Sequence, residues 1–143
     1  MHKPALLAAL VAFAIPSVVL ACEAHRKQAQ KPAVKKLSVG ELAKLQSTSK
    51  PTLLDANGPK TRKSQGVIPG AVLLTSSSRY DVAKELPATK DSKLVFYCAN
   101  EKCTASQTAA ERALSSGYTD VAILPAGIQG WKSSGQKTAI PQS

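Results

Sequence analysis

Apolar positions fall in short runs separated by capping and breaking residues, and the spacing switches repeatedly between helical and extended patterns from Leu37 onward. Ser38 and Glu41 have capping-box spacing, and Leu42 and Leu45 follow on one face, which predicts a first helix. Thr52 to Leu54 makes a brief apolar run ending at Asp55, and Asn57, Gly58 and Pro59 then predict a loop. Ala71 to Leu74 predicts a second short strand. Ser76, Ser77 and Ser78 offer N-caps for a helix carrying Val82 and Leu86, stopped by Pro87. Lys93 to Cys98 contains Leu94-Val95-Phe96-Tyr97 without polar alternation, the pattern of a parallel strand covered on both faces. Thr104 and Gln107 repeat the capping-box spacing ahead of Ala109, Ala110, Ala113 and Leu114, with Gly117 as the breaker. Val121 to Leu124 reads as the next strand. Pro125-Ala126-Gly127 turns the chain into a last short helix begun by Ile128 and Trp131. The sum is an α/β domain, an open and mainly parallel sheet with helices on both faces.

The first 36 residues follow other rules. Met1 to Ala21 starts with His2 and Lys3, continues through an apolar run, and reaches Val19-Leu20-Ala21 before Cys22, the layout of an export signal over residues 1–21. Pro16 interrupts the run, which falls short of the roughly 20 apolar residues that span a bilayer. Val-Leu-Ala-Cys is similar to the bacterial lipoprotein box, so Cys22 is expected to be lipidated; cleavage after Ala21 without lipid is the alternative. Residues 22–36 are polar and basic, with Arg26, Lys27, Lys31, Lys35 and Lys36, and read as a flexible tether. Such a tether could rest on anionic headgroups as a second anchoring signal, or serve as a plain solvated spacer. The mature chain is expected outside the cytoplasm, in the cell envelope, with the domain at 37–143.

Length and composition narrow the classes. The 143 residues suit one domain, and 43% hydrophobic residues suffice for a core. A formal charge of +10 favours anionic partners, while 4% aromatic residues argue against base-stacking platforms and so against nucleic acid.

Candidate chemistry centres on Cys98, at the carboxyl end of the buried strand and just ahead of a helix, where open α/β sheets place ligand sites. Loop amides and a helix N-terminus there would stabilise a thiolate; a buried structural cysteine is the competing reading. The only histidines are His2 and His25, both before the domain, so no Cys-His or Ser-His-Asp arrangement can be built inside it. Cys98 and Cys103 are too few soft ligands for zinc, and neither a metal nor another cofactor is expected. A nucleophile activated by amides and a dipole suits the transfer of sulfur.

Asp55 after a short strand, Gly66-Val67-Ile68-Pro69-Gly70-Ala71, the loop opened by Cys98, Gly117-Tyr118 with Asp120-Val121, and Gly127-Ile128 with Gly130-Trp131 resemble, in order and spacing, the rhodanese-like domain. The resemblance covers about residues 37–135. It implies a sulfurtransferase scaffold in which Cys98 accepts a sulfane sulfur from a small donor and passes it to a thiol or other nucleophile. The loop Ala99, Asn100, Glu101, Lys102, Cys103 and Thr104 would cradle the persulfide, with Asp55 organising nearby loop amides. The domain is expected to act as a monomer.

Departures from the family pattern bear on the donor. Both usual loop arginines are missing, Glu101 adds negative charge, and Lys102 is the only loop cation, which disfavours dianionic thiosulfate. Val67 replaces the usual His before Ile-Pro-Gly-Ala, and Asn57 stands where an Arg often follows the Asp. The related phosphatases need an Arg at the position of Thr104, which argues against phosphatase activity. Cys103 opens a second hypothesis: paired with Cys98 in an oxidising compartment, it could form a structural disulfide, resolve a Cys98 persulfide, or make a thiol–disulfide or binding module. Trp131 and Tyr97 read as core with bonded polar edges, and Lys60, Arg62 and Lys63 as a solvated basic loop.

Overall fold

The computed structural model describes residues 33–141, so the export signal, Cys22 and all but the end of the tether lie outside the described residues. Ten elements follow in order: β1 (Lys35–Lys36), α1 (Val39–Thr48), β2 (Thr52–Asp55), α2 (Pro59–Gln65), β3 (Val72–Leu73), α3 (Val82–Glu85), β4 (Leu94–Tyr97), α4 (Ala105–Ser115), β5 (Val121–Leu124) and α5 (Gly127–Ser133). The strands form one parallel sheet in the order β1-β5-β4-β2-β3. This is the α/β architecture that the alternation of spacings predicts.

Strand pleating divides the core into two layers. Leu54, Leu94, Phe96, Val121 and Ile123 face a cluster completed by Tyr80, Tyr118 and the α4 residues Ala109, Ala110 and Ala113. Leu53, Val95, Tyr97, Ala122 and Leu124 face the other side, packed with Leu42 of α1 and with Ile128 and Trp131 of α5. All four residues of β4 and of β5 are buried, because helices cover both faces. Small alanines on α4 allow that helix to lie close on the sheet. The capping box at α1 forms as expected: Ser38 Oγ accepts from the Glu41 N–H, and the Glu41 carboxylate accepts from the Ser38 N–H at 2.7 Å.

Four sequence expectations change. Lys35 and Lys36, read as the end of the tether, form an edge strand on β5; backbone pairing needs no apolar side chains, and Lys35 Nζ is fixed 3.0 Å from Asp120 Oδ1. The segment after Pro59, read as a loop, is α2, with its proline in the first turn, where no N–H is needed. The serine triplet caps nothing regular: Asp81 is the N-cap of α3, its side chain accepting from the Ala83 N–H. Thr104 is the N-cap of α4 but makes no side-chain cap, and Gln107 bonds Glu111 along the helix instead of reaching back.

Candidate active site

Chain order and sheet order diverge at β2: β3 pairs on one side of it and β4 on the other. The carboxyl ends of β2 and β4 therefore frame a topological switch point, the position where open parallel sheets place their ligands. Cys98 follows β4 there, and Asp55 ends β2 opposite Tyr97. The loop from Cys98 to Thr104 connects β4 to the N-terminus of α4.

α5 holds the start of this loop. The N–H of Ile128 donates to Cys98 C=O at 2.9 Å, and the N–H of Gln129 to Ala99 C=O at 3.0 Å. Contact this close requires glycine just before: Gly127 has φ +59°, and a Cβ there would stand 2.6 Å from the Cys98 and Ala99 carbonyl oxygens. Gly127→Ala is expected to destabilise the fold by about 1–3 kcal/mol and to displace the loop. The checks are a urea midpoint and the rate of Cys98 labelling, and wild-type values for both would contradict this role. Further along, Asn100 Nδ2 donates to Gln129 Oε1 at 3.1 Å. Asn100 also closes a turn, its Oδ1 accepting from the Lys102 N–H at 3.1 Å and its C=O from the Cys103 N–H at 3.0 Å.

The Lys102 and Cys103 amides are thus committed within the loop. Both thiols are free. Cys98 is 1% exposed; its Sγ–H donates to the Cys103 C=O at 3.2 Å, and Ser106 Oγ lies 3.3 Å away. Burial first, and then hydrogen bonding to Cys103, pushes the Cys98 thiol pKa up. Cys103 is half-buried. Burial acts to raise its pKa as well, but hydrogen bonds from Cys98 and from the Ala99 and Ala105 N–H groups outweigh it, and the Cys103 thiol is lowered.

Asp55 is fully buried and gathers three partners. Oδ1 accepts from the Asn57 N–H at 2.6 Å, and Oδ2 from the Tyr97 hydroxyl at 2.8 Å, which itself accepts from the Ile68 N–H at 3.0 Å. Arg62 Nε stands 3.5 Å from Oδ1, while Nη2 donates to the C=O of Asp55 at 2.8 Å and of Leu74 at 2.9 Å. Burial first, and then the Asp55 charge, push the Tyr97 phenol pKa far up, so it remains a donor. The amide that Asp55 organises belongs to the β2–α2 loop, and its wider effect is to fasten the ends of β2, β3 and β4. Arg62 corrects the solvated reading of its basic segment, with its side chain only 11% exposed. Ser106, Gln129 and Arg62 carry no motif of their own; only the fold brings them to this edge.

Beside the loop lies an open groove of about 460 Å³ lined by Asn100, Glu101, Lys102, Ala126, Gln129, Gly130 and Ser133. One carboxylate, one ammonium and neutral amides give it little net charge. Among the described residues, no group of three His, Cys, Asp or Glu side chains could hold a metal ion.

A sequence model of the rhodanese-like domain matches residues 38–134. The chain belongs to the rhodanese-like domain family. Solved structures agree on the fold. A rhodanese-related protein from Thermoplasma volcanium superposes with a TM-score of 0.58 at 21% identity, covering 75% of this chain and 99% of that one. The human single-domain sulfurtransferase gives 0.57 at 23% identity, covering 71% and 97%. A protein of unknown function from Rhodopseudomonas palustris, described as a possible tyrosine phosphatase, gives 0.61 at 24%, covering 73% and 84%. No curated protein matches the sequence. Within this rhodanese-like domain the segment from Cys98 to α4 carries two free cysteines, Cys98 and Cys103.

Proposed function

We propose that this rhodanese-like domain is a sulfurtransferase that carries sulfane sulfur as a persulfide on Cys98 and delivers it to a thiol acceptor. The observation that carries the reading is the position of Cys98: it ends the central strand at the switch point of a rhodanese-like fold, in the loop leading to α4. The human sulfurtransferase of similar fold supports the reaction class. Persulfide formation needs no metal or histidine. A donor thiolate or sulfite leaves as the S–S bond to its sulfane sulfur breaks, and the acceptor thiolate later attacks that same sulfur.

The donor class follows from charge. Glu101 and Lys102 stand side by side on the groove and Thr104 opens α4, so no guanidinium in the loop meets a dianion. Persulfides and polysulfides of low charge are the donors proposed. One lost charge-assisted bond is worth roughly 1.5–3 kcal/mol, so thiosulfate should serve at least about tenfold more slowly than a low-molecular-mass persulfide. Steady-state transfer to a thiol acceptor with each donor tests this; equal rates would contradict the donor class, and no transfer from either would contradict the function. We propose in addition that Cys22 carries a lipid that holds the domain at the outer side of a membrane. Mass analysis of the mature N-terminus decides this, an unmodified Cys22 being the contrary result.

A further inference from the structure

The two thiols differ in burial: Cys98 is buried, while Cys103 is partly exposed, with its side chain packed against the edge of the core. Cys98 is 1% exposed and bonded to the Cys103 carbonyl, with Ser106 Oγ on its other side, and neither cysteine lines the groove. Cys103 follows two groove residues, Glu101 and Lys102, and the Asn100 turn fixes the backbone on which it is presented. Its side chain is half-buried, two residues before the eleven-residue helix α4.

From this arrangement, and resting on the sulfurtransferase reading above, we propose that Cys103 is the thiol that meets the donor, and that it hands the sulfur inward to Cys98. In the first step the Cys103 thiolate attacks the sulfane sulfur of a low-molecular-mass persulfide. A new S–S bond forms at Cys103, the donor's S–S bond breaks, and the donor departs as its thiolate. In the second step Cys98 Sγ attacks the outer sulfur of the Cys103 persulfide. The bond between Cys103 and that sulfur breaks, its electron pair returns to Cys103 as thiolate, and the Cys98 proton is released to solvent. No net oxidation occurs in either step.

Hydrogen bonding favours this order. Ala99 and Ala105 amides, with Cys98, lower the pKa of the Cys103 thiol, which makes it both the better populated thiolate and the better leaving group in the second step. The raised Cys98 thiol is the stronger nucleophile once deprotonated, as suits the second attack. The transferred sulfur ends in the more enclosed position, away from stray thiols.

Two measurements on the purified, reduced protein test the proposal. With a limiting amount of iodoacetamide at neutral pH, peptide mapping should find Cys103 alkylated about tenfold or more faster than Cys98. With inorganic polysulfide as the sulfur source and quenching at early times, the extra sulfur should appear on Cys103 first and on Cys98 later. Cys103→Ser and Cys103→Ala should each slow loading of Cys98 about tenfold or more, while Cys98→Ser should still load Cys103. Preferential alkylation of Cys98, or loading of Cys98 at the wild-type rate in both Cys103 variants, would overturn the proposal. A closed Cys98–Cys103 disulfide with free sulfide would mean attack on the inner sulfur, and would overturn the hand-over. A wild-type protein that takes up no sulfur overturns the sulfurtransferase reading and the hand-over with it, and the alkylation order tells the two failures apart.

Discussion

Replacing Arg62 with alanine should cost about 3 kcal/mol of folding stability, a large share of the 5–15 kcal/mol available to a domain of this size. The Asp55 carboxylate is fully buried, and Arg62 is its only cationic partner among the described residues. Removing the guanidinium leaves that charge with the Tyr97 hydroxyl and the Asn57 amide alone, and strips donors from the Asp55 and Leu74 carbonyls. Two bonds to the carboxylate survive, so the cost belongs at the low end of the range for breaking a buried pair. Removing the charge along with its partner should return part of it: Arg62→Ala combined with Asp55→Asn is expected to be more stable than Arg62→Ala alone. Urea unfolding of the three variants measures both effects. A loss under about 1 kcal/mol for Arg62→Ala would mean that Arg62 does not neutralise the buried carboxylate.

Cys98→Ser should slow steady-state sulfur transfer about tenfold or more, what remains coming from sulfur that loads Cys103, with an unfolding midpoint close to wild type. A hydroxyl is only slightly smaller than the thiol and can bond the same two neighbours, Cys103 C=O and Ser106 Oγ, so the fold has little to lose. An alcohol at neutral pH does not attack a sulfane sulfur, so the step from Cys98 to the acceptor disappears. Transfer at the wild-type rate in Cys98→Ser would assign the delivering sulfur to another residue and defeat the proposed function.

How far the sequence reveals this molecule depends on whether a feature is local. The uninterrupted apolar run of β4 declares a strand covered on both faces, and the Ser38–Glu41 spacing declares a helix start, because each signal lies within a few residues of its effect. The edge strand β1 has no such signal, since Lys35 and Lys36 join the sheet through backbone alone. Gly58-Pro59 reads as a loop, and α2 escapes notice because none of its residues is buried, so it leaves no apolar stripe in the sequence. The place of Cys98 is legible from strand, loop and helix order. The burial of Arg62 against Asp55 is not, because its partners, the Asp55 and Leu74 carbonyls, lie at the ends of two strands that meet only in the folded sheet. Nor does the interval between Cys98 and Cys103 reveal which thiol is sealed; that follows from the Asn100 turn and from the α5 N–H groups holding the loop.

The central claim is a persulfide on Cys98, and its most direct test is the intact mass of the reduced protein after exposure to polysulfide and removal of excess donor, with peptide mapping of the β4–α4 loop. The account predicts a protein one sulfur heavier, with the added sulfur on the Cys98 peptide once loading is complete. A protein two hydrogens lighter, closed between Cys98 and Cys103 and inert to further donor, would contradict it and make the domain a thiol–disulfide element.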